Sequence, residues 1–270
     1  MTPDLLTIRK SLNKAFLKVK PSRSQIELFK SNLQNLYTQI SEKESEEHHK
    51  NIISEFLKNT YYQPNHYINT KDRTDLVIHN GKDAKSTVGV IIETKRPGNK
   101  AEMPSKDNLN TKAVHEIVLY YLRERINQKN LEIKYLIATD LYEWFIFNAQ
   151  DFEKIFAKNK KLVEDFEKFQ EGRLSGTKTE FFYKDIAKPF IENLDACIPV
   201  THFDIRDFET IIKSEKKEED NKLIGIYKIF SAEHLLKLPF SNDSNTLDKK
   251  FYNELLHIIG LEERKEGSKK

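Results

Sequence analysis

Chain breakers are scarce in this sequence. Only 8 glycines and 8 prolines punctuate 270 residues, so long helices are expected wherever apolar residues recur at helical spacing. One such stripe runs through residues 4–19 (Leu5, Ile8, Leu12, Phe16, Val19) and stops at Pro21. A second follows Ile26, Phe29, Leu33, Leu36 and Ile40. Residues 42–59 open on acidic side chains and continue through Ile52, Ile53, Phe56 and Leu57. That places negative charge at the end of a helix where its dipole favours it.

The pattern changes between residues 60 and 148. TYYQPNHYIN (60–69) gathers β-favouring aromatics around Pro64, and TDLVIH (74–79) is a short strand-like run. Asn80-Gly81 then supplies a strong hairpin signal, and TVGVIIET (87–94) makes a further strand, closed by Pro97-Gly98. A helix is expected over 110–128, with Val114, Ile117, Val118, Tyr121 and Leu122 on one face. IKYLIA (133–138) and EWFIFN (143–148) follow as two more strands. Beyond residue 150 charged helical stretches prevail, interrupted near Gly172–Gly176 and by the run Lys213–Asn221. The expected class is therefore α/β. Its core over 42–148 is built in the order helix, three strands, helix, strand, with mostly helical sequence on both sides.

Composition narrows the class of protein. The 45 basic residues nearly cancel the 42 acidic ones, and 17 Phe, 11 Tyr and 1 Trp can anchor a core, so a folded globule is expected. A single cysteine, Cys197, excludes a disulfide scaffold or a thiolate metal cluster. No apolar stretch approaches the ~18 residues of a membrane span. The opening MTPDLLTIRK lacks the layout of a secretory signal. A cytoplasmic protein is expected. The net charge of +3 permits a nucleic-acid partner without demanding one.

One constellation carries chemistry. Glu93 and Lys95 are two residues apart at the end of a strand and share a face. An antiparallel hairpin turning near residues 80–86 brings Asp75, at the start of the preceding strand, to the same end. Two carboxylates and an ammonium suit a hard divalent cation with a polarised water. The lysine can orient that water or help deprotonate it. A lone general acid or base supplies only about 10²–10⁴-fold, far less than phosphodiester hydrolysis requires.

Asp75 followed by Glu93-Thr94-Lys95, in an αβββαβ order, resembles the PD-(D/E)XK nuclease superfamily, although Thr74 stands where that motif has proline. The runs INTKDRTDLVIHNG, VGVIIETKRPGNKAEM, LYYLRER and YEWFIF are similar to the N-terminal nuclease region of type IIG combined restriction–methylation enzymes. So are GRLSGTKTEFFYKDIAKP, THFDIRDFE and FYNELLHIIGLEE further on. The resemblance implies a restriction-endonuclease-like core over 42–195. A helical extension (1–41) would precede it, and a helical connector or docking region (196–270) would follow.

It also implies a magnesium-dependent DNA endonuclease module of a restriction–modification system, with manganese as a possible substitute. Asp75, Glu93 and the Thr94 carbonyl would hold the metal, and Lys95 would activate water. A further metal-holding glutamate is implied on the preceding helix. At about 100° per residue Glu46 falls on the side of Ile53 and Leu57, whereas Glu47 aligns with polar positions. The implied partners are double-stranded DNA, an adenine methyltransferase and recognition region, and a second copy for cutting both strands. The chain has no Asn-Pro-Pro-Tyr-type motif and no glycine-rich cofactor loop, so it resembles the nuclease part alone. Lys71, Arg73, Arg96 and Lys100 flank the site as phosphate contacts. Glu116 and Tyr120, one helical turn apart, stand where related nucleases meet DNA. A same-fold nuclease of repair or nucleic-acid turnover, or a non-catalytic DNA-binding or assembly module, are the alternatives. His48 and His49 diverge by about 100° on a helix and cannot chelate together; Trp144 is expected in the core.

Overall fold

A computed structural model of the chain describes residues 1–71, 75–240 and 249–260, without the side chains of Lys71, Asp75 and residues 249–253. Its strands are β1 (Thr2–Leu6), β2 (Ile68–Lys71), β3 (Asp75–His79), β4 (Val88–Thr94), β5 (Tyr135–Thr139), β6 (Glu143–Asn148) and β7 (Cys197–Asp204). They form a seven-stranded sheet in the order β1-β7-β6-β5-β4-β3-β2. The pairs β4/β5 and β1/β7 are parallel and the remaining neighbours antiparallel. The principal helices are α1 (Arg23–Gln39), α2 (Glu46–Leu57), α3 (Lys112–Leu122), α4 (Lys160–Gln170) and α5 (Ile224–Phe230). The fold is α/β, and α2–β2–β3–β4–α3–β5 reproduces the order read from the sequence.

Local chemistry explains where these elements start. Ser22 and Gln25 form a reciprocal capping box at the start of α1. The Ser45 side chain accepts the His48 N–H at the start of α2. Every residue of β4 is buried, as expected of a strand covered on both faces. Val90 and Ile92 join the apolar cluster that α2 and α5 contribute to, with Ile53, Phe56, Leu57, Ile229 and Phe230. Ile91 points the other way, into the cluster of Ile117, Val118 and Tyr121 on α3 and Phe166 on α4.

Three expectations need correction. Residues 4–19 are not one helix but strand β1 followed by short helices at Ile8–Ser11 and Lys14–Lys18. Thr7 and Asn13 cap those pieces with their side chains, and such capping competes with a continuous helix. Within 196–270, expected to be helical, Cys197–Asp204 is strand β7 in the centre-left of the sheet. Pro199 obscured it, because proline argues against a ladder strand. Here Pro199 pairs only with Asp4 of β1, since the ladder with β6 begins at Val200. Strands from the terminal segments and from 42–195 thus share one sheet. Lastly, most of 60–69 is not strand. The chain stays helical through Tyr62, which is fully buried, and β2 begins only at Ile68.

The turn between β3 and β4 is also longer than a two-residue hairpin. Asn80 N–H donates to Thr87 O at 2.8 Å, and the Asp83 carboxylate accepts from the Lys85 and Ser86 backbone within the loop. The strand register is nevertheless the antiparallel one expected. No helix among the described residues is long and apolar enough to cross a membrane.

Candidate functional site

The site lies at the carboxyl end of β4. Alternation along that strand puts Glu93 on the face of Ile91, toward α3. Lys95 follows one residue past the strand, and its N–H donates to Thr139 O at 2.8 Å, continuing the alignment with β5. Its side chain therefore returns to the face of Glu93. Leu76 pairs with Ile92 in the β3/β4 register, so Asp75 stands one step on, in the row of Glu93. The backbone thus brings Asp75 to the end of β4 that the sequence reading assigned it. The Asp75 side chain lies outside the described residues.

Lys95 is the hub of a buried charge cluster. Its Nζ stands 2.8 Å from Glu93 Oε1, makes an ion pair with Glu116 Oε2 from α3, and lies 3.9 Å from Glu102 Oε2. Glu102 comes from the segment between β4 and α3. Its carboxylate accepts from Lys112 Nζ at 3.2 Å and its carbonyl from Ala113 N–H at 3.0 Å, pinning that segment to α3. Glu93, Lys95 and Glu116 are 3%, 2% and 8% exposed. Buried charges persist only when paired, because each costs several kcal/mol to desolvate.

The pairing is unequal, with two buried carboxylates around one ammonium. Burial, and then the negative charge of Glu93, push Glu116 up to about 8, against the pull of Lys95. Burial pulls Lys95 down, but Glu93 and Glu116 more than reverse it and hold the amine protonated. The arrangement is a buried ammonium held by carboxyl groups from two elements. With Glu116 raised to about 8 and largely protonated at neutral pH, Glu93 and Lys95 balance one another there. Among the described residues no three of His, Cys, Asp and Glu assemble as a metal group.

The other sequence candidates distribute as follows. Thr94 is fully buried on the opposite face, and its hydroxyl has no hydrogen-bond partner. Glu46 is half-buried and Glu47 exposed in the first turn of α2, which matches the expected inward turn of Glu46. However, α2 packs on the other face of the sheet from α3, and no ion pair or hydrogen bond links Glu46 to Glu93 or Lys95. Arg96 is exposed beside the site. Lys100 is exposed too, 3.8 Å from Glu143 at the start of β6. Arg73 and the Lys71 side chain lie outside the described residues.

Glu116 and Tyr120, expected to meet DNA, are both buried. Glu116 faces Lys95, and the Tyr120 hydroxyl stands 3.5 Å from that of Tyr183. The signal for the place of Glu116 was in the sequence. It is a glutamate inside AVHEIVLYYL, where all ten residues from Ala113 to Leu122 are buried. Glu102 carried no such signal. His49 is buried with Nε2 at 3.0 Å from Ser41 O, while His48 Nε2 stands 3.3 Å from Gln39 O. His115 is 2.6 Å from Asn110 Oδ1, and burial pushes it down to about 4. Trp144 is fully buried in the core, its Nε1–H donated to Leu141 O at 2.9 Å.

An α/β sheet with a buried Glu–Lys–Glu cluster at a strand end is the class that fold and site define. The chain belongs to the family described as a domain of unknown function, DUF7149, whose model matches residues 6–243. Residues 244–270 match a second domain of unknown function, DUF7814. An uncharacterized protein of Dictyostelium discoideum is 26% identical over 177 residues, which cover 65% of this chain and 13% of that protein. The chain thus spans a small part of that relative. No solved structure matches it.

Proposed function

We propose that this chain is a magnesium-dependent deoxyribonuclease module of the PD-(D/E)XK type, serving a restriction–modification system. The observation that carries the reading is the Glu93–Lys95 pair at 2.8 Å, at a strand end where the register also brings Asp75. The motif resemblance and the αβββαβ order support it. Ligands in open α/β sheets gather outside the carboxyl ends of the strands, as this cluster does.

Asp75 and Glu93 are the residues that would hold the cation, and manganese is expected to substitute for magnesium. The bound cation would supply charge neutralisation and a more acidic water. The protein's own part is to orient that water through Lys95 and, by burying Glu93 and Lys95, to shield them from bulk water. Arg96 and Lys100, both exposed in the segment that follows β4, suit contacts to the phosphate backbone of double-stranded DNA. A methyltransferase and recognition region would supply sequence choice, and a second copy the second strand cut.

One observation favours a second reading. Glu93, Lys95 and Glu116 neutralise one another while almost wholly buried, which also suits a structural cluster in a non-catalytic DNA-binding or assembly module. A single comparison separates the two. The purified chain is incubated with linear duplex DNA and with structured RNA, in magnesium and in manganese, and product ends are labelled. The nuclease reading expects cation-dependent cutting of DNA leaving 5′-phosphate ends, abolished in Asp75→Ala. Cutting of RNA in preference favours nucleic-acid turnover. No cutting of either, with DNA still bound, favours the assembly reading.

A further inference from the structure

We infer that Glu116 is a positioning residue that clamps the Lys95 amine from helix α3, rather than a residue that meets DNA. The inference rests on the nuclease reading. Lys95 Nζ stands between two carboxylates that come from different elements: Glu93 from its own strand and Glu116 from α3. Both carboxylates pair with the charge of the ammonium, whereas Glu102 at 3.9 Å is beyond hydrogen-bond reach.

The geometry makes the second anchor necessary. Glu93 is assigned two tasks, holding Lys95 and holding a cation. Once its carboxylate is committed to a divalent cation, its hold on the lysine weakens and the two cations repel. Only an anchor that does not share the cation can keep the amine within reach of the water. Glu116 supplies a second anchor from a separate element, α3, whose position does not depend on the strand that carries Glu93. Its own placement is fixed in turn. All ten residues from Ala113 to Leu122 on α3 are buried, and Lys112 on the same helix ties down Glu102. The buried Tyr120, one turn on from Glu116 and 3.5 Å from Tyr183, holds the helix at this level.

The test uses the full chain as wild type, Glu116→Ala and Glu116→Gln, with two readouts. The first is plasmid nicking in magnesium and manganese, analysed as kcat and KM. The second is acetylation of Lys95 by an N-hydroxysuccinimide ester, read by mass spectrometry of its peptide. Glu116→Ala is expected to lower kcat at least tenfold with KM for plasmid little changed, and to speed Lys95 acetylation severalfold. Glu116→Gln keeps a carbonyl oxygen facing Nζ and is expected to restore most of both. Nicking at the wild-type rate, or unchanged acetylation in Glu116→Ala, overturns the clamp while leaving an active wild type as support for the nuclease. A wild type that never nicks, in either metal, overturns the nuclease reading and with it the purpose of the clamp.

Discussion

Lys95 is 2% exposed and Glu93 is 3% exposed, so the chemistry proposed for this protein would run on groups that water scarcely reaches. That explains why removing one partner is costly: an unpaired buried charge is worse than none. Glu116 has a measurable consequence of its own. Its ordinary value is 4.5 and the folded protein raises it to about 8, chiefly by burial. A raised carboxyl contributes stability that is full below its unfolded value and is lost as pH rises through its folded value. His115 and His234, both pushed down to about 4 by burial, titrate differently. Their contribution is full above about 6.5 and is lost as pH falls toward 4. From about pH 7 to 8 these histidines, with His49 and His202 that burial also lowers, carry little further slope, which leaves Glu116 to set most of the fall. Urea midpoints should fall across that window in the wild type and stay flatter in Glu116→Gln; parallel slopes in the two proteins would contradict this.

At the scale of elements, β4 positions everything else. A Cβ at Gly89 would meet Asn80 Oδ1 at 2.5 Å and Leu236 Cδ2 at 2.5 Å. Gly89→Ala is therefore expected to destabilise the protein by about 1–3 kcal/mol, the usual cost of overpacking, in a thermal melt. The strands around it were legible because each carries a strong local signal. VGVIIET and EWFIFN are apolar runs bounded by turns, and the sequence ranges match β4 and β6 to within a residue. β1 and β7 were not legible, because each depends on the other. TPDLL is half-exposed and unremarkable in composition, and CIPVTHFD contains proline; only their parallel pairing, residues 2–6 against 197–201, makes either a strand. The same distinction runs through the site. Glu93 and Lys95 are two residues apart and share a strand face by simple alternation. Glu116 reaches Lys95 only through the packing of α3 on the sheet, and Glu102 only through the course of a loop.

At the scale of the whole molecule, segments far apart in sequence, residues 2–17 and 197–230, are bound into one architecture. Beyond the β1/β7 pair, Lys228 on α5 is buried, and its Nζ donates to Phe16 O at 2.7 Å and Leu17 O at 3.0 Å. These bonds join residues more than two hundred positions apart. Lys228→Met keeps the volume but takes the amine from Leu17 O and leaves Phe16 O with the Val19 N–H alone, so a loss of about 1–3 kcal/mol is expected from denaturant titration; an unchanged midpoint would show that water replaces the amine freely. The same closure sets the site in a rigid frame, with α3 and the loop before it packed over the end of β4. A hydrolytic site that must orient one water gains from such a frame.

Lys95 is proposed to work on phosphodiesters. The most direct measurement is nicking of supercoiled plasmid by the wild type and by Lys95→Ala, side by side in magnesium, with manganese and high protein concentration included. Circular dichroism and plasmid binding confirm that the variant is folded. Nicking by the wild type is expected, and its loss by at least a hundredfold in Lys95→Ala, in line with the about 10²–10³-fold cost of removing one preorganised donor. A folded Lys95→Ala variant that nicks as fast as the wild type would contradict it.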